Sequence, residues 1–174
     1  MRGPKPLFLV CLLACLLAAL LLAPVSASAK TPPVYAARVT WVVDGDTLWA
    51  RPLSGGRAVK LRLHGIDAPE ICQAGGPVAR AALSLRAHRQ VVQVRTKYRD
   101  RYGRAVVQLH QNNEDLAASM VRAGQAWSDH SGRSLGPYAA EEAQARVQRR
   151  GLFQQRNAEI PRDFRRRHGP CPRP

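Results

Sequence analysis

The chain has 174 residues, with 27 Lys+Arg against 12 Asp+Glu and a formal charge of +15. That length suits one compact domain rather than two. An apolar content of 45% excludes disorder of the whole chain, and no C-x-x-C or H-E-x-x-H string supports a zinc centre.

Arg2 and Lys5 precede an apolar run from Leu7 to Ala23, and Ala27-Ser28-Ala29 follows. A basic start, an apolar stretch and an A-x-A end describe a secretory signal over residues 1–29, cleaved after Ala29. An uncleaved membrane anchor, a lipoprotein modified at Cys15 and a buried helix are the competing readings. The run continues far past Cys15 and has no polar face, which weighs against the last two. The expectation is an exported protein, secreted or periplasmic, with no stable membrane association after cleavage and a monomeric state by default. Cleavage removes only Arg2 and Lys5 from the charge balance, and Lys30, Lys60 and Lys97 are the lysines left. The remaining excess is arginine, whose planar fork of donors matches phosphate oxygens in pairs. It is compatible with a phosphate-bearing partner, and a generally basic, soluble surface is the alternative that charge alone leaves open. Cys72 and Cys171 remain as an even pair, which in an exported chain reads as one disulfide, with two free thiols as the alternative.

Residues 30–36 form a short polar leader. Ala37–Val43 is rich in β-branched residues and predicts a strand, and Asp44-Gly45 predicts a turn. Thr47–Arg51 resumes extended structure until Ser54-Gly55-Gly56. Between Ala58 and Ile66, Val59, Leu61 and Leu63 alternate with Lys60, Arg62 and His64, giving one apolar and one basic strand face. Val91–Tyr98 and Arg104–His110 predict two further strands around a turn at Gly103. Helices are expected at Pro77–His88, at Asn113–Ala123 with Asn113 as cap and Gly124 as stop, and at Pro137–Arg150 before Gly151. Beyond Phe153 the chain reads as irregular. Its arginine-rich tail, residues 156–174, reads as a solvated terminus in preference to an arm for nucleic acid. The order is α+β, a small antiparallel sheet or barrel with helices grouped on it, and an oligonucleotide-binding barrel is one fit among several.

If Gly55-Gly56 centres the hairpin turn, position 46 faces position 65. Asp46 and Asp67 then gather at the open end of that hairpin. Two close carboxylates repel unless protonated or bridged by a cation, and hard oxygen donors suit Ca²⁺ or Mg²⁺. Asp44-Gly45-Asp46 alone is more simply a turn. Arg62 lies on the basic strand face, and Glu70 follows Asp67 across Pro69. Singly these are surface charges. Combined, a divalent cation, arginines and a spare carboxylate are what phosphodiester hydrolysis requires.

Asp44-Gly45-Asp46-Thr47, Arg62-Leu63-His64-Gly65-Ile66-Asp67-Ala68-Pro69-Glu70 and Asp100-Arg101-Tyr102-Gly103-Arg104 resemble, in order, the signature segments of the staphylococcal nuclease (thermonuclease) family. The resemblance continues through Val121-Arg122-Ala123-Gly124 and Glu142-Ala143-Gln144-Ala145 to Gly151-Leu152-Phe153. It implies a thermonuclease-like domain over residues 37–155, a five-stranded oligonucleotide-binding (OB-fold) barrel with about three helices. It also implies a Ca²⁺-dependent nuclease that hydrolyses DNA and/or RNA, endonucleolytically, and leaves 3′-phosphates. By position, Asp46 and Asp67 resemble the carboxylate metal ligands and Ala68 a backbone carbonyl ligand. Arg62 and Arg104 resemble the catalytic arginines, Glu70 the residue that activates or orients water, and Arg101 and Tyr102 contacts to a substrate phosphate. Ala68 stands where the staphylococcal enzyme has Thr, and His130 stands near its base-stacking tyrosine. A bridge from Cys72 to Cys171 would bring the tail beside the catalytic loop. The alternative from another class is a catalytically silent barrel that binds nucleic acid or another polyanion.

Overall fold

A computed structural model describes residues 33–130 and 134–172. The expected signal segment lies outside the described residues. Five strands make the main sheet: β1 (Val34–Val42), β2 (Thr47–Pro52), β3 (Val59–Leu63), β5 (Val91–Arg99) and β6 (Ala105–Gln111). They are hydrogen-bonded in the order β3-β2-β1-β5-β6, and a parallel β3–β6 pairing (Leu61↔Ala105 to Leu63↔Val107) closes the sheet into a barrel. Closure removes the open edges a five-stranded sheet would otherwise present. Two-residue strands complete the set: β4 (Ile66–Asp67) pairs with β8 (Trp127–Ser128), and β7 (Glu114–Asp115) pairs with the end of β6.

Each barrel strand places alternate residues inward. Val39, Leu48, Leu61, Leu63, Val92, Val94, Val107 and Leu109 are essentially inaccessible. Fully burying a side chain of this size contributes about 1.5–3 kcal/mol, so this alternation is what selects the register. Helix α1 (Gly76–Ala87) turns Ala79, Leu83 and Ala87 inward, and α2 (Leu116–Arg122) contributes Leu116, Met120 and Val121 to the same core. A second, smaller cluster of Trp127, Ala145 and Phe153 seats α3 (Ala139–Val147) and the following 3₁₀ turn, Gly151–Gln154. Among the described residues, no helix is long and apolar enough to cross a membrane.

Four expectations are corrected. The strand predicted from Ala37 begins at Val34, because Val34, Tyr35 and Ala36 pair with Arg95, Val94 and Gln93 of β5; part of the supposed leader is barrel. The cap of α2 is Asp115, whose carboxylate accepts from the Ala117 and Ala118 N–H groups, and not Asn113. Asn112 and Asn113 both have positive φ and form a tight two-residue turn between β6 and β7, a conformation Asn tolerates. The hairpin register also differs: Thr47 pairs with Arg62, and the Leu63 N–H donates to the Asp46 carbonyl at 2.8 Å. Asp46 therefore faces position 63 rather than 65. Lastly, the tail is not irregular. Pro161–His168 forms helix α4, with Pro161 in its first turn, and Cys171 is bonded to Cys72 across a sequence separation of 99.

Candidate active site

The β1–β2 turn and the segment after β3 build the site. Asp44 accepts a hydrogen bond from the Asp46 N–H at 3.0 Å, which sets the turn. Gly45 lies where a Cβ would stand 2.7 Å from the Cβ atoms of both Ala68 and Ala79. A glycine here lets α1 and the post-β4 segment press directly on the turn. Asp46 is 3% exposed: its Oδ1 accepts from Thr47 Oγ1 at 2.8 Å and its Oδ2 from the Ala68 N–H at 2.9 Å. Ala68 thereby fixes the far carboxylate through its backbone, a contact indifferent to the side chain at that position.

Arg62, from β3, joins the two acids. Its Nη1 donates to Asp46 Oδ1 at 2.6 Å, and its Nη2 donates to Asp67 Oδ1 and the Ile66 carbonyl, both at 3.2 Å. The Asp46 charge beside it raises its already high pKa, so it stays cationic. Burial pushes the Asp67 carboxyl up, opposed chiefly by a hydrogen bond from Arg165. Burial, and then the charge of Asp46, push Asp44 to about 8. The hydrogen bond that Asp44 accepts from the Asp46 N–H is its part in the turn, as the sequence reading has it.

Glu70 sits in a tight turn in which its N–H donates to Gln73 Oε1 at 3.1 Å and its carbonyl accepts from the Gln73 N–H at 2.8 Å. A Cβ at Gly76 would collide with that carbonyl, so the start of α1 fixes the turn by close approach. Glu70 meets Asp67 through a shared partner, Arg165 of α4. Its Nη1 donates to Glu70 Oε1 at 2.7 Å and to Asp67 Oδ1 at 3.1 Å, and its Nη2 to Asp67 Oδ2 at 3.0 Å. Sequence reasoning did not single out Arg165. The available signal was the pairing of Cys171 with Cys72, close to Glu70.

Arg62 also lines an open cleft of about 470 Å³ with Arg104, Arg101, Tyr102, Asp100 and Asp129. Arg104 Nε donates to Asp100 Oδ2 at 2.7 Å. Burial raises the Asp100 pKa, but hydrogen bonds from Arg104 and from the Tyr102 N–H outweigh it and leave the group below its ordinary value. Two guanidiniums stand against the Tyr102 ring, with Arg101 Cζ 4.9 Å and Arg104 Cζ 5.3 Å from its centroid. It is 68% exposed, so its ring faces the same open cleft as four arginines, Arg62, Arg99, Arg101 and Arg104. His130 does not line this cleft. It borders a smaller cavity of about 160 Å³ with Asp67, Trp127 and Arg162.

The donor set fits a hard divalent cation. Two carboxylates already converge on one positive charge, and ions of this kind accept one or two carboxylates with carbonyls, waters and a ligand phosphate completing the shell. Those further donors are needed, because among the described residues no three His, Cys, Asp or Glu side chains stand in metal-holding geometry.

A closed five-stranded barrel with a carboxylate–arginine site at one cleft places the molecule among oligonucleotide-binding-type barrels. Residues 60–155 match the family described as staphylococcal nuclease homologue. The chain is 35% identical over 143 residues to a micrococcal nuclease of Shigella flexneri, covering 76% of this chain and 81% of that protein. It is 34% identical over 131 residues to an uncharacterized endonuclease of Haemophilus influenzae, covering 74% and 72%. It is 37% identical over 139 residues to Protein ParB of Escherichia coli, covering 74% and 77%. The protein belongs to the staphylococcal nuclease family.

Proposed function

We propose that this protein is an exported, cation-dependent nuclease that hydrolyses phosphodiester bonds of DNA and/or RNA endonucleolytically and leaves 3′-phosphates. One observation carries the reading: Asp46 and Asp67 converge on Arg62, which lines the same cleft as Arg104. Family membership and the named relatives support it. The signal-like start supports export, and the Cys72–Cys171 bond suits an oxidising compartment. A monomer is the assembly state proposed.

Asp46, Asp67 and the Ala68 carbonyl would hold Ca²⁺. Bound there, the cation supplies Lewis-acid polarisation of a phosphoryl oxygen. Arg62 and Arg104 pair with the remaining phosphate oxygens and neutralise charge that grows as phosphorus becomes five-coordinate. Neither guanidinium loses its proton at neutral pH, so both act as electrostatic clamps. Glu70 orients the attacking water and takes its proton, the bond from phosphorus to the in-line 5′ oxygen breaks, and that oxygen takes a proton from solvent, which leaves phosphate on the 3′ side. Tyr102 and Arg101 hold the neighbouring backbone phosphate at the cleft rim.

The test is digestion of denatured and duplex DNA by the purified protein with Ca²⁺ and with EGTA, beside Glu70→Ala. Cutting should require Ca²⁺ and collapse in the variant. Retention of DNA without cleavage in either condition would replace the nuclease reading with that of a binding barrel.

A further inference from the structure

Helix α4 carries a side chain into the reactive end of the site. Arg165 donates to both oxygens of Asp67 and to Glu70, the three contacts spanning 2.7–3.1 Å. Asp67 and Glu70 are largely covered, with 14% and 24% of their side chains exposed. These are the oxygens that a cation and a water would use. Arg62 reaches only Oδ1 of Asp67, whereas Arg165 occupies both Oδ1 and Oδ2 and so leaves no oxygen of that carboxylate open to a dication, which its own positive charge also opposes.

Several features keep the arginine there. The covalent path from Glu70 to Arg165 is short: two residues to Cys72, across the disulfide to Cys171, and back along the end of α4. The tail is further fixed by Gln73 Nε2 donating to the Glu159 carbonyl at 2.6 Å and Arg162 Nη2 donating to the His130 carbonyl at 3.0 Å. An Arg167–Glu159 ion pair adds to these. A ligand tethered at such range acts at millimolar or higher effective concentration without a tight contact of its own.

We propose that Arg165 is a tethered competitor for the divalent cation, a latch set by the Cys72–Cys171 bond that holds Asp67 and Glu70 until a cation displaces it. A nucleic-acid phosphate gives the displaced guanidinium a new partner, so substrate and cation favour each other's binding. The inference rests on the cation-dependent reading above.

Titration calorimetry of Ca²⁺ into protein free of nucleic acid tests it. Arg165→Ala should bind Ca²⁺ about tenfold more tightly than the unaltered protein. Arg165→Lys should return most of the way to the original affinity. Arg166→Ala, which removes an exposed arginine paired with Asp163 on the same helix, should change nothing. A merely structural arginine would give the opposite sign, since its loss would loosen Asp67 and weaken the site. The Cys72→Ser/Cys171→Ser double variant should shift toward Arg165→Ala; if it stays at the original affinity, the tether is not what sets the latch. Equal or weaker Ca²⁺ binding by Arg165→Ala, in a protein that still cuts DNA with Ca²⁺, overturns the inference and leaves the nuclease reading standing. If neither protein binds Ca²⁺ nor cuts, both fall together.

Discussion

Arg62 and Arg104 face one cleft but have different attachments, and that separates two kinds of loss. Arg62 neutralises two covered carboxylates, whereas Arg104 is tied to Asp100, a neighbour in its own turn. Both Arg62→Ala and Arg104→Ala should lower kcat by about 10²–10³-fold, as removal of a transition-state charge donor does. Single-strand affinity should fall far less, and equal losses would mean that these arginines only hold substrate. Arg62→Ala alone should also lower stability, by about 3 kcal/mol, because it leaves the buried Asp46 without its counter-charge, while Asp67 keeps Arg165. Single-turnover cleavage, filter binding and urea midpoints measured on both variants check the distinction. The residues that carry this argument were legible because their chemistry is written in side-chain type and order. Arg165 was not, since its contacts to Asp67 and Glu70 depend on how the tail folds back onto the site.

The helices and strands show where local pattern suffices. Strands with a period of two were readable, and the hairpin error was a turn centre misplaced by one residue. That moves the facing partner by two positions and so keeps every side chain on its proper face. Helix α2 is instructive because its cap has a second task. Asp115 caps α2 through Oδ1 and accepts from the Tyr138 hydroxyl through Oδ2 at 2.9 Å, joining α2 to the start of α3. Asp115→Ala should therefore cost about 1–2 kcal/mol for the cap, with roughly 1 kcal/mol more for the stranded hydroxyl. Tyr138→Phe should cost only about 1 kcal/mol for the lost hydrogen bond to Asp115, and the double variant should fall short of the sum. Thermal unfolding of the four proteins measures the coupling. Helix α4 was invisible for the opposite reason. Its sequence, Pro161-Arg-Asp-Phe-Arg-Arg-Arg-His168, has no apolar stripe, and its only buried residue is Pro161. Ion pairs and the crosslink hold it, and neither leaves a periodic signal.

Across the whole molecule, the sequence already implied a barrel but not how the chain's end meets the site. The Cys72–Cys171 bond decides that. In the chain-entropy account, a loop of about 100 residues contributes roughly 4.7 kcal/mol by restricting the unfolded chain. Reduction should therefore lower the urea midpoint substantially, with the barrel still forming, because the bond lies outside the β3–β6 closure. Comparison of urea curves with and without reductant, followed by far-ultraviolet circular dichroism, would measure both effects. A midpoint unmoved by reduction would mean that the unfolded chain gains nothing from the bond's release.

The same bond has a bearing on damage. The turn at Arg101-Tyr102-Gly103 is exposed, and its arginine offers a cutting site to trypsin-like proteases. Cys72 precedes that turn and Cys171 follows it. A cut there breaks the backbone between the two halves of the β5–β6 hairpin, yet both fragments remain one covalent body, paired strand to strand. If the protein is exported as proposed, a nick in this exposed turn need not release either half.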